Sequence, residues 1–217
     1  MKADRAGFWS GLAAAALGAL FLGSGPVFAQ DRAAWPELKG NDKHILLLIA
    51  QEAIAAARES RPSREARVGP RLEAAQPLVV SLYVDGRLRA RAWKLKALQP
   101  LYLAARDLIG AALANPKVSD QPLTREELAR AKVGLAVLGK YAPAKDDTEV
   151  PPRSAVIIYN GFTEWLALPG DVPGDVPGGR PAADLLSYAC EQAGLRPQVW
   201  LLPSTTIFSA PADEIRE

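Results

Sequence analysis

The chain of 217 residues holds one cysteine, Cys190, and one histidine, His44. A lone cysteine cannot close an internal disulfide. The two together cannot build a Cys/His zinc cage or a cysteine-ligated iron–sulfur site, so no metal site is expected. A Ser–His–Asp triad would have to use His44, which falls in the first turn of a predicted helix, where a solvated residue is the usual occupant. An excess of one charge is also missing: 26 Lys and Arg against 24 Asp and Glu leave a net charge of +2. The whole molecule is therefore not drawn to nucleic acid or to a membrane, and any basic partner surface must be local. No catalytic constellation stands out, and no cofactor is expected.

Long apolar runs are scarce as well. The one extended run, residues 8–22, is shorter than the ~20 residues that a transmembrane helix needs. Lys2 and Arg5 precede it, and Gly23-Ser24-Gly25-Pro26 and Val27-Phe28-Ala29 follow it. That order is a secretory signal peptide over residues 1–29, cleaved between Ala29 and Gln30; the alternative is an uncleaved anchor. No cysteine follows the run, which excludes a lipoprotein, and no twin arginine precedes it. The expectation is export by the general route, unfolded, to the periplasm or exterior of a bacterium. Membrane contact is then made only through this segment, before cleavage.

What is present is a succession of short elements. Residues 30–40 read as a tether. Asn41 or Asp42 can cap a helix to Arg58, with Leu46, Ile49, Ala50, Ala53, Ile54 and Ala57 as its buried stripe. Residues 60–75, with four arginines, two prolines and a glycine, read as an exposed linker. Residues 78–84 and 87–92 are two strands around Asp85-Gly86, a dipeptide suited to the positive φ of a two-residue turn. A helix over 100–114 starts at Pro100 and stops at Asn115-Pro116. Thr124 and Glu127 have capping-box spacing and open a short helix. A strand over 131–138 follows, then a charged, proline-rich crossing over 141–153. A second hairpin turns at Asn160-Gly161. Residues 170–179, GDVPGDVPGG, repeat a four-residue unit once and read as a loop extension. A helix over 181–193 buries Leu185, Leu186, Ala189 and Cys190, which makes the cysteine a small core hydrophobe. Short apolar pieces at 199–202 and 205–208 complete a sheet. The order is mixed α+β and not a regular βαβ winding.

Several pieces, in order, resemble the AMMECR domain family, which includes protein A of the AmmeMemoRadiSam system. They are the opening helix, VSLYVDGRLR, PLYLAARDLIGAALANPKV, QPLTREELARAKVGLAVL, and the C-terminal block SAVIIYNGFTEWLALPG…LLSYACEQAGL…VW. The resemblance implies a compact α+β domain over residues 41–212. It would have a larger and a smaller lobe with a cleft between them, and a mixed or antiparallel sheet packed by helices. Residues 213–217 are left as a tail. The family motif after the hairpin turn is leucine, arginine, glycine, cysteine, isoleucine, glycine. Here those places hold Leu88, Arg89, Ala90, Arg91, Ala92 and Trp93. Two glycines and the thiol are gone, so an inherited activity is not implied. The family's Memo-type and radical-SAM partners belong to a cytoplasmic setting.

Alternation along a strand puts Arg87, Arg89 and Arg91 on one face, with Trp93 next in line, and Leu88, Ala90 and Ala92 on the other. Lys94 and Lys96 follow, giving five positive charges and no negative one over residues 87–96. Arginines two apart in a strand stand ~6.5–7 Å apart, close enough to share one phosphate or carboxylate. The candidate ligand residues are therefore Arg87, Arg89, Arg91, Trp93 and Lys94, forming an anion-binding ledge. The other reading of the same stretch is a solvated strand face whose arginines pair with Glu126, Glu127 or Asp107. Two functions stay open. One is a non-catalytic exported domain that binds a small anion or an envelope protein, with no nucleic acid. The other is an enzyme or enzyme accessory that keeps a family activity in the cleft, using Tyr83, Glu164 or Asp107 beside Arg89.

Overall fold

The computed structural model describes residues 35–114, 118, 121–161, 163–172 and 181–217. The expected signal peptide and its Ala29/Gln30 cleavage point lie outside the described residues, as does most of the GDVP repeat. Among the described residues no helix is long and apolar enough to cross a membrane.

Among the described residues, seven antiparallel strands form one curled sheet. β1 (Leu78–Val84) and β2 (Arg87–Lys94) are the expected hairpin. Its turn residues Asp85 and Gly86 both have positive φ, the twist that matches flanking strands. β3 (Lys132–Leu138) pairs on the other side of β1. β4 (Ala142–Ala144), β5 (Ser154–Tyr159), β6 (Glu164–Ala167) and β7 (Thr206–Arg216) complete the set. The spatial order is β2-β1-β3-β7-β5-β6, with β4 also paired to β7. Helices α1 (Gly40–Arg58) and α3 (Leu101–Ala114) pack on the β1–β3 half, joined by the four-residue α2 (Pro70–Glu73). Helix α4 (Arg125–Arg130) opens on the expected capping box: Thr124 Oγ1 accepts from the Glu127 N–H, and the Glu127 carboxylate accepts from the Thr124 N–H. Helix α5 (Ala182–Gln192) packs on β5 and β6.

The sheet has two halves, and β7 is common to both. Its residues 206–211 pair with β5 and its residues 212–216 with β3. Residues 213–217, expected as a tail, therefore supply the end of a central strand through Arg216. The sequence obscures this because Pro211, Asp213 and Glu214 interrupt the apolar pattern. The expected tether also differs: Leu38 is in the core, and Gln76 Nε2 donates to the Pro36 carbonyl at 2.9 Å. Residues 197–201 form a 3₁₀ turn in place of the expected strand. Tyr159 pairs with Glu164, so the second hairpin has a four-residue connection and not a two-residue one.

Leu78, Val80, Leu82, Ala90, Ala92, Val133, Leu135 and Val137 face α1 and α3 in the main core. The opposite face of the same strands is covered too, since Val79, Ser81, Arg91, Trp93 and Ala136 are all buried. A sheet buried on both faces, unusual for an antiparallel one, changes what the hairpin's arginines can do.

Candidate functional site

Antiparallel register puts residues of neighbouring strands side by side on one face. Arg91 of β2 stands opposite Ser81 of β1, Ser81 opposite Gly134 of β3, and Gly134 opposite Arg216 of β7. This row has an arginine at each end and two small residues between. The next row is Leu88, Tyr83 and Lys132. Tyr83 leans back over Gly134, where an added Cβ would come within 3.0 Å of the Tyr83 ring. The Arg216 guanidinium lies over that ring, 5.6 Å from its centroid.

The 3₁₀ turn Pro169–Asp171 descends onto the first row. Asp171 meets Arg91 in a bidentate pair, both contacts at 2.5 Å, with the two side chains 0% and 1% exposed. Arg91 Nε donates to Ser81 Oγ at 2.9 Å, and Nη1 donates also to the Leu166 carbonyl at 3.4 Å. Asp171 further accepts from the Leu168 N–H at 2.7 Å. Burial by itself would push the Arg91 pKa down, but the bonds and charge of Asp171 outweigh it and raise it, so the pair is ionic. Beside it, Gly170 sits directly on Arg216, and a Cβ there would stand 1.8 Å from Nη2. Arg216 is paired in turn with Glu214 at 2.6 Å.

Trp93 makes a second link in the same direction. Its Nε1 donates to Glu164 at 2.7 Å, and its ring meets Trp165 edge-on, with centroids 5.5 Å apart. β2 and β6 are the two ends of the strand order, so Arg91 and Trp93 tie the ends of the curled sheet together through side chains.

The expected ledge is therefore not formed. Arg91 and Trp93 are interior because the sheet curls over them. Arg89 is the extra residue of a β-bulge, since Leu82 pairs with Ala90 but Tyr83 with Leu88; its Nε is held by Glu127 at 2.9 Å. Lys94 lies near Asp107 of α3, at 3.9 Å. Of the five candidates, Arg87 lines a concave surface. Glu164 is engaged at the seam and Asp107 accepts from Gln99, so only Tyr83 of the three acid–base candidates shares that surface. Cys190 is buried, and burial pushes its thiol up, away from the reactive range. His44 is exposed on α1.

That concave surface is a cavity of about 550 Å³ next to the buried pair. Asp171 lies at its floor, with Tyr83 and Tyr188 beside it. Leu88, Val118 and Val133 line the wall, and Arg87, Lys132 and Arg216 bring cationic side chains. Burial, and then the charge of Asp171, push both phenols up, so they stay protonated at neutral pH and can donate. Glu217 also borders the cavity, but its side chain accepts from Gln51 Nε2 at 3.0 Å and from the Val133 N–H. Sequence reasoning missed Lys132, Asp171, Tyr188 and Arg216. Strand pairing makes Lys132 and Arg216 neighbours of the hairpin, and Asp171 stood in one of two identical GDVP units with nothing to single it out.

Arg89 and the capping box together hold the Glu127 carboxyl down at about 2. A carboxyl depressed in the folded state stabilises fully above its unfolded pKa, near 4.5, and loses that contribution as pH falls toward about 2. Thermal melts of the wild type and Glu127→Gln should therefore differ most above about pH 5 and converge toward about pH 2. A gap independent of pH would mean that the Glu127 charge is not what Arg89 and Thr124 hold.

The AMMECR1 family matches this chain over residues 47–211. A protein of Thermococcus gammatolerans is 32% identical over 115 residues, which are 50% of this chain and 54% of that protein. The chain thus spans about half the length of that archaeal relative. The crystal structure of the uncharacterized protein PH0010 from Pyrococcus horikoshii has the same fold: TM-score 0.66, 21% identity, 82% of this chain and 92% of that one. The family match covers most of the chain and the fold agrees, and the chain belongs to the AMMECR1 family.

Proposed function

We propose that this chain is a non-catalytic binding domain that holds a small anion in the cavity beside the Arg91–Asp171 pair. The observation that carries this is the charge balance of the cavity. Arg91 cancels Asp171 at the floor, and Glu214 cancels Arg216. Arg87 and Lys132 remain, exposed and with no carboxylate partner among the described residues, against the one further side-chain carboxylate, Glu217, which is turned to Gln51 and the Val133 N–H. A carboxylate that is bonded to a guanidinium on both oxygens and to a backbone N–H is not free to act as a base. The phenols are held protonated, so the site offers donors and positive charge, which suits holding more than transforming. The volume is in the range of small-molecule sites, ~300–1,000 Å³.

Calorimetric titration of the full chain with acetate, inorganic phosphate and aromatic carboxylates tests this. At least one should bind, and Arg87→Ala with Lys132→Ala should weaken it at least about tenfold, the effect of losing one charge-assisted bond. Binding unchanged in the double variant, or no binding by any of them, would sink the proposal.

Export is proposed with it, supported by the charge, apolar run and small residues of positions 1–29. Mass spectrometry of protein recovered from outside the cytoplasm should find an N-terminus at Gln30. An intact Met1 confined to the cytoplasm would overturn the compartment and leave the cavity as it stands.

A further inference from the structure

The cavity's charge and its walls narrow the ligand further than its sign, given the reading above that it is an anion site. After the two internal ion pairs are set aside, the remaining charges are Arg87 and Lys132 against the side chain of Glu217, which is turned to Gln51 and the Val133 N–H. The two exposed cationic side chains outnumber the one carboxylate side chain, which favours an anion. The wall is of another kind. Leu88, Val118 and Val133 are apolar, and Tyr188 presents a half-buried ring. The Tyr83 ring is already covered by Arg216 and backed against Gly134. No ring or cation among the described residues is stacked on Tyr188. A bare acetate or phosphate would meet the cations and leave this apolar wall and most of about 550 Å³ to water.

We infer that the cavity takes a carboxylate carried on a flat, aromatic body. The carboxylate lies at Arg87 and Lys132. The ring lies against Tyr188 with Leu88 and Val133 at its edges, and offset stacking sets its plane. Tyr83 lines the cavity as well, and the Tyr188 hydroxyl can donate to a polar substituent of the ring.

The test is calorimetry on the full chain with indole-3-acetate, its neutral alcohol analogue, acetate and inorganic phosphate. Indole-3-acetate should bind at least about tenfold tighter than acetate, because only it buries a ring, and tighter than the neutral analogue, because only it meets the cations. Tyr188→Ala should weaken indole-3-acetate at least about fivefold more than it weakens acetate, while Tyr188→Phe, which keeps the ring, should lose less than Tyr188→Ala. A circular-dichroism melt confirms that both variants fold. Acetate or phosphate binding as tightly as indole-3-acetate would overturn the inference about the body and leave the anion reading intact. The neutral analogue binding as tightly as indole-3-acetate, or no anion binding at all, would overturn both.

Discussion

One ion pair, Arg91 with Asp171, connects the beginning of the sheet to its end. Arg91 belongs to β2, the first strand in the spatial order, and Asp171 to the turn that leaves β6, the last. Two charges out of water cost several kcal/mol each unless their bonds are satisfied. Here four of the five guanidinium N–H groups have acceptors, and the carboxylate takes a backbone N–H besides. Arg91 also fills the face of β1 and β2 that helices do not cover. The hydrogen bond from Trp93 to Glu164 and the Trp93–Trp165 contact extend the same closure. Edge strands left open invite pairing with other chains, and here side chains bring the two ends together.

The cavity follows from that closure. Asp171 draws the 168–172 segment onto the sheet, which places Gly170 on Arg216, Arg216 on Tyr83, and Tyr188 of α5 across the gap. Without Arg91, Asp171 would be an uncompensated negative charge at the floor and would repel the anions that Arg87 and Lys132 attract. The position that holds a cysteine in the family motif therefore carries a residue of another kind here. A guanidinium has no thiol chemistry, but it neutralises the floor and fixes the loop. Arg89, next to it, is spent on Glu127 at the start of α4, so the cationic strand serves three different partners along its length.

The elements legible in the sequence are those with local signals. Asp85-Gly86 gave the turn, Thr124 and Glu127 the cap, and the apolar stripes of α1, α3 and α5 most of their buried faces, although in α1 Ala56 is buried and Ala57 exposed. The parity of the hairpin was legible as far as the bulge: Ala90 and Ala92 face the helices and Arg91 and Trp93 share the other side, but Leu88, expected beside Ala90, pairs with Tyr83 and lines the cavity. Strand periodicity cannot say whether that other side meets water or protein, and this decided the role of every arginine on β2. The bulge at Arg89 and the extension of β7 past Pro211 depend on pairing across long sequence separations. Asp171 was illegible for a further reason, because a duplicated GDVP unit looks like filler until one copy is seen docked. Gly139 is a smaller case, its space taken by Pro211 of β7, from which a Cβ would stand 3.3 Å.

The closure by Arg91 and Asp171 is tested most directly by a double-mutant cycle in denaturant unfolding, with Arg91→Met, Asp171→Leu and both together. Each single change strands a buried charge and should cost about 3–5 kcal/mol. The double variant removes both charges and should be more stable than either single one, because satisfied apolar side chains replace a satisfied pair at little net cost. Losses that simply add in the double variant would contradict the closure, since they would show that the two residues stabilise the fold independently.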